Sequence, residues 1–190
     1  VLVSGFAGKR FGVSGQEERI SCVPGEESLD EFKRNLISGG PPPDGIPPIE
    51  RPRYPTGEGV EKLSERVLTE DSIVFGLDYR GEVKAYPRSI MVYHEIVNDE
   101  ISGENISITY CPLTGSAIGY KGLVDGEKTT FGTSGKLVNS NLVMYDRKAG
   151  KRSYWPQILG TSITEPFKGE SLEQFPLVWT TWGKWKSEYP

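Results

Sequence analysis

Seven of the seventeen residues from Gly39 to Pro55 are proline. Proline fixes φ and carries no backbone donor, so this run neither continues a helix nor pairs inside a sheet. It is expected to form an irregular or polyproline-like strap that wraps the fold, with Ile46 and Ile49 in need of burial. An aromatic groove on a partner is the other place such a run would dock. The core must therefore come from the flanking segments, and these are short. Gly (23) and Pro (14) interrupt the chain throughout, which favours turns and short strands over long helices. The expected fold class is α+β and mainly β: short antiparallel strands in a barrel-like or sandwich core with a few peripheral helices. Residues 1–38 read as an N-terminal arm and short helix, and 39–190 as a single domain.

Alternating apolar residues in Val1–Val3 and Phe11–Val13 predict an extended arm or edge strand. Ser28 to Glu31 has the spacing of a capping box. Leu29, Phe32 and Leu36 then form a helical apolar face that ends at Gly39-Gly40. A short helix is predicted over 60–67. Residues 73–77 and 82–86 read as a hairpin around Asp78-Tyr79-Arg80-Gly81. Pro87 opens a predicted helix with Ile90, Tyr93, His94 and Val97 on one face. Residues 105–110 are a strand leading into a turn from Cys111 to Ser116. Segments 117–120 and 129–131 look like a hairpin across Val124–Glu127, and 142–145 is a further strand. Trp179, Trp182 and Trp185 have the spacing of one face of a final helix.

The net charge is −4, from 22 basic and 26 acidic residues spread along the chain. Without a basic block, nucleic acid is an unsuitable partner. No apolar run reaches membrane-spanning length, so no membrane span is expected. The chain opens on Val1, which fits a processed, exported protein or a chosen start, and Asn105-Ile106-Ser107 is a glycosylation triplet.

Four segments carry the chemistry: Asp44-Gly45-Ile46-Pro47-Pro48; Tyr93-His94-Glu95-Ile96-Val97-Asn98-Asp99; Thr109-Tyr110-Cys111-Pro112-Leu113-Thr114-Gly115-Ser116; and Phe131-Gly132-Thr133-Ser134-Gly135 running through Asn139-Ser140 to Met144-Tyr145-Asp146. In this order and spacing the chain resembles the domain of unknown function 3179 family, from about Gly39 to Pro190. The resemblance implies an exported or membrane-anchored, hence extracytoplasmic, setting. It implies no established reaction. The family's histidine falls on His94 and its first motif cysteine on Cys111. Many members have a second cysteine where this chain has Thr114, so two-cysteine chemistry within the turn is absent here. Tyr154-Trp155-Pro156-Gln157 matches an aromatic-plus-Gln position that either lines a pocket or buries its tryptophan.

His94 is the one histidine, and three readings of it with Cys111 stay open. In the first, a small-molecule site uses Cys111 as a thiol nucleophile and His94 as its base. Asn98, Asp99 or Asn139 would orient the imidazole, and Thr133-Ser134-Gly135 would donate to an oxyanion. In the second, Cys111, His94 and Met144 hold a soft metal ion, copper by ligand type, although one histidine rules out the usual blue-copper set. In the third, both residues are structural, and the N-terminal arm adds a strand to a neighbour in self-assembly. A Cys22–Cys111 disulfide would staple that arm across about 90 residues, contributing on the order of 4–5 kcal/mol in the chain-entropy model. Glu95 reads as a solvated acid, and Glu26-Glu27 as helix-terminus charges.

Overall fold

The structure, a computed structural model, describes residues 25–54, 68–148, 150 and 152–189. The arm, Cys22 and the helix predicted over 60–67 lie outside the described residues. The elements are α1 (Glu26–Arg34), β1 (Ile37–Ser38), β2 (Ile49–Glu50), β3 (Ile73–Tyr79), β4 (Glu82–Pro87), α2 (Arg88–His94), β5 (Ile96–Ile101), β6 (Glu104–Cys111), β7 (Ser116–Lys121), β8 (Leu123–Val124), β9 (Glu127–Lys128), β10 (Phe131–Val138), β11 (Asn141–Asp146), β12 (Tyr154–Pro156), β13 (Gln174–Phe175), β14 (Val178–Thr181) and α3 (Trp182–Glu188). They build three sheets, ordered β1-β10-β11-β12, β13-β7-β6-β5-β2 and β14-β3-β4, beside the small β8–β9 hairpin. Only the β2–β5 pair is parallel among the described strands. The expected mainly-β, sandwich-like core is present. The barrel half of that expectation is not, because each sheet has two open edges.

The five-stranded sheet is the middle layer, and β6 shows why. Ile106, Ile108 and Tyr110 join Phe75, Leu77 and Met91 in one core cluster. The alternate residues Ser107, Thr109 and Cys111 face the β10–β11 side and are buried as well. A strand buried on both faces must satisfy any polar residue it carries. Here Ser107 donates to Asn98 Oδ1, and Thr109 donates to the Ile118 carbonyl. The second cluster, with Cys111, Phe131, Leu142, Met144 and Trp155, fills the space between the middle and β10–β11–β12 sheets. Trp185 closes the outer face of β3, lying where a Cβ on Gly76 would come within 2.1 Å of its ring.

Several predicted elements are redrawn by this packing. The first helix starts at Glu26 with Gly25 as its cap and no side-chain capping bond, so Ser28 lies inside it. The helix after Pro87 stops at His94, where Glu95 takes φ +59°. Val97 therefore reaches the core from β5, while Tyr93 is 75 % exposed. Ile96 and Val97 pair with Thr109 and Ile108, and that ladder outweighs continued helical periodicity. Segment 117–120 pairs with β6 and β13, and the Val124–Glu127 turn closes only β8–β9. Trp179 lies in β14 against Phe75, at 4.7 Å between ring centroids, and not on the final helix.

Candidate functional site

Cys111 ends β6 as the third member of the Ser107–Thr109–Cys111 row and is 1 % exposed. Its Sγ accepts from Leu142 N at 3.3 Å and points to the Ser140 carbonyl at 3.7 Å, so the thiol is engaged by the β10–β11 hairpin. Neither contact is to His94. The cysteine carries no disulfide among the described residues. Because the thiolate must be exposed to attack, alkylation of Cys111 by iodoacetamide is expected to be at least about 100-fold slower in the native protein than in urea, limited by opening of the fold. Peptide mapping of a time course measures this, and equal rates would place the sulfur at the surface.

His94 closes α2, and its Nδ1 lies 2.8 Å from the Pro47 carbonyl. A carbonyl only accepts, so Nδ1 carries a proton and donates it to the strap. The imidazole thus pins the strap to the helix end. Met144 shares the buried cluster of Cys111, 0 % exposed and opposite Trp155. Among the described residues, no three His, Cys, Asp or Glu side chains gather as a metal-holding group.

The other expected site residues have structural engagements. Asn98, expected to orient the imidazole, instead joins two sheets. Its Oδ1 accepts from Phe131 N (3.0 Å) and Ser107 Oγ (2.7 Å), and its Nδ2 donates to the Phe131 carbonyl (2.8 Å) and Glu50 Oε1 (2.9 Å). Asp99 accepts from Tyr54, Tyr86 and Lys84. Asn139 and Ser140 form the two-residue turn between β10 and β11, both with positive φ, and both are exposed. Ser134 lies in the β10 bulge, donating to the Val143 carbonyl and accepting from Lys136 N, so its hydroxyl shapes the bulge. Trp155 is fully buried, its indole donating to Asp146, and Gln157 makes four side-chain hydrogen bonds behind the Cys111 turn. In that network the Thr114 hydroxyl accepts from Asn141.

The proline strap crosses this bulge. Gly39 N donates to the Gly135 carbonyl, Asp44 N to the Thr133 carbonyl, and the Thr133 hydroxyl to the Ile46 carbonyl. Tyr145 and Arg147 hold the Asp44 carboxylate from the side. Beneath the strap is a cavity of about 210 Å³ lined by Gly39, Pro41, Ile46, Glu95, Pro112, Leu113, Thr133, Gly135, Lys136, Leu137 and Leu142. All four chemistry-bearing segments contribute to it. Cys111 and His94 do not line it, but each adjoins a residue that does.

Glu95 is the unforeseen member. It stands at a left-handed φ of +59°, a conformation costing a non-glycine residue about 1–3 kcal/mol. No hydrogen bond or ion pair reaches its carboxyl among the described residues, and burial pushes its pKa up to about 7. A carboxyl so tuned can both give and take a proton near neutrality. The folded chain therefore binds more protons than the unfolded chain between pH 4.5 and about 7, and Glu95 makes stability fall as pH rises across that window. Glu95→Gln is expected to be more stable than the native protein at pH 8 by about 1–2 kcal/mol after solvent screening, and level with it at pH 4. Urea unfolding at both pH values checks this; equal curves at pH 8 would mean a solvated carboxyl.

A layered, mainly-β domain whose proline strap roofs a small apolar cavity is the class that this fold and site define. The family model described as protein of unknown function (DUF3179) matches residues 43–190, beginning inside the strap. The chain belongs to that family. No curated protein and no solved structure matches it.

Proposed function

We propose that the protein binds a small molecule in the cavity under the strap, with Glu95 as the acid–base group that meets it. The observation that carries this reading is the convergence of all four segments on one cavity holding a carboxyl without a partner among the described residues. Unpaired, desolvated acids in clefts are candidate functional groups, since their burial is a cost that folding alone does not repay. The left-handed backbone at Glu95 supports the same reading, because strain persists where the surroundings demand it. Cys111 and His94 then serve the site from behind, one under the turn that supplies Pro112 and Leu113, the other through the strap. Attack by Cys111 would require its contact with Leu142 N to open, and a metal site would have to recruit His94 through Nε2.

The test is a fragment screen by amide chemical shift on the whole chain. Binders should shift the amides of Leu113, Gly135 and Leu137, and Leu137→Trp, which fills the cavity, should weaken them at least about tenfold. Fragments that map elsewhere, or that ignore Leu137→Trp, would overturn the reading.

A further inference from the structure

Resting on that reading, the charge inventory of the cavity names its ligand class. Of the lining residues only Glu95 and Lys136 are titratable. The Lys136 ammonium lies over the Tyr154 ring, 5.7 Å from its centroid, and makes no ion pair with Glu95. Burial is the cause acting on the Glu95 proton, and among the described residues no cation pairs with its carboxyl. From the adjoining elements, His94 is turned to the Pro47 carbonyl, and Asp44 is engaged by Tyr145 and Arg147 through Oδ2, while its buried Oδ1 has no hydrogen-bond partner among the described residues. The Thr133 hydroxyl already donates to Ile46, and the remaining side chains at the walls are aliphatic or proline. A half-buried carboxyl at an apolar wall has no hydrogen-bond donor and no counter-charge from the described residues. An ammonium supplies both at once.

We infer that the cavity selects a small organic cation, an amine on a short apolar body, whose ammonium pairs with the Glu95 carboxylate. A volume of 210 Å³ is below that of drug-sized pockets and equals about seven waters at ~30 Å³ each, which limits the ligand to roughly seven non-hydrogen atoms. Pairing needs the ionised acid. An ammonium entering below neutral pH therefore displaces the Glu95 proton, which passes to solvent, while the amine keeps its own. Binding at pH 6 releases close to one proton per site, and binding at pH 8 releases nearly none.

Three probes of matched size, n-pentylamine, pentan-1-ol and butanoate, separate the outcomes when titrated into the full chain and into Glu95→Gln. The amine should bind at least about tenfold more tightly than the alcohol at pH 8, butanoate should not compete, and Glu95→Gln should erase the preference while retaining alcohol binding. Weakly buffered titrations at pH 6 should acidify with the amine alone. The amine-to-alcohol ratio on the native protein needs no variant and decides the matter by itself. Alcohol bound as tightly as amine would overturn the cation inference and leave the cavity reading standing. Butanoate bound most tightly would overturn it in the same way. No shift at Leu113, Gly135 or Leu137 with any probe would overturn both.

Discussion

Asn98→Ala is expected to lower the unfolding free energy by about 3–4 kcal/mol, which urea denaturation would register as a large drop in midpoint with an unchanged slope. The reason lies in what the amide leaves behind. Phe131 N and its carbonyl are met from the neighbouring sheet by the Asn98 side chain, which accepts from the first and donates to the second. Ser107, fully buried, has the same amide as its acceptor. Truncation leaves these buried groups without their partner. Asn98→Asp should be worse than Ala near neutral pH. It replaces the two donated bonds with a buried charge facing the Phe131 carbonyl and Glu50. Part of that excess should be recovered at low pH, where the new carboxyl is protonated. A loss under 1 kcal/mol for the alanine variant would show that water satisfies the groups and that the two sheets are not joined there.

Gly135→Ala should destabilise the fold by about 3 kcal/mol and loosen the strap. Two causes add. Gly135 has φ +71°, where a side chain is strained, and an added Cβ would lie 2.0 Å from the Pro41 carbonyl oxygen. The oxygen is backbone on a proline-rich segment, so it cannot rotate away as a flexible side chain would. Gly103→Ala separates the causes, because Gly103 has φ +77° but open space where its Cβ would go. That variant should lose only about 1 kcal/mol. The difference between the two measures the close approach of strap and bulge. Hydrogen exchange at Gly39 and Asp44, whose amides bond to Gly135 and Thr133, should accelerate in Gly135→Ala alone. Equal losses in both variants would mean that the strap gives way at little cost.

Much of the architecture was legible in residue order because it depends on local chemistry. The prolines from 41 to 52 imposed a strap, although Ile49 and Glu50 between them pair as the edge strand β2 where no pairing was expected, and Arg80-Gly81 between two apolar alternations formed the expected tight hairpin. The Ser107–Thr109–Cys111 alternation was written into β6, yet a polar row of period two ordinarily marks a solvent face. Only the β1-β10-β11-β12 sheet stacked over it made that row interior. For the same reason Asn98, Asp99 and Ser134 looked like groups available for catalysis. A side chain's hydrogen-bond partners come from strands distant in sequence, and Asn98 meets Phe131 across 33 positions.

Sequence alone determined the short-strand, turn-rich class and the strap, while the four segments were marked by the family resemblance. The class and the strap follow from backbone restrictions that each residue carries with it. Tertiary structure decided which side chains those segments present to a common space. His94 turned to Pro47, Cys111 sank beneath the hairpin, and Glu95, which reads as a solvated acid beside them, lines the cavity. Burial changes the chemistry of a carboxyl more than any neighbour in sequence does, and burial is a property of the packed layers.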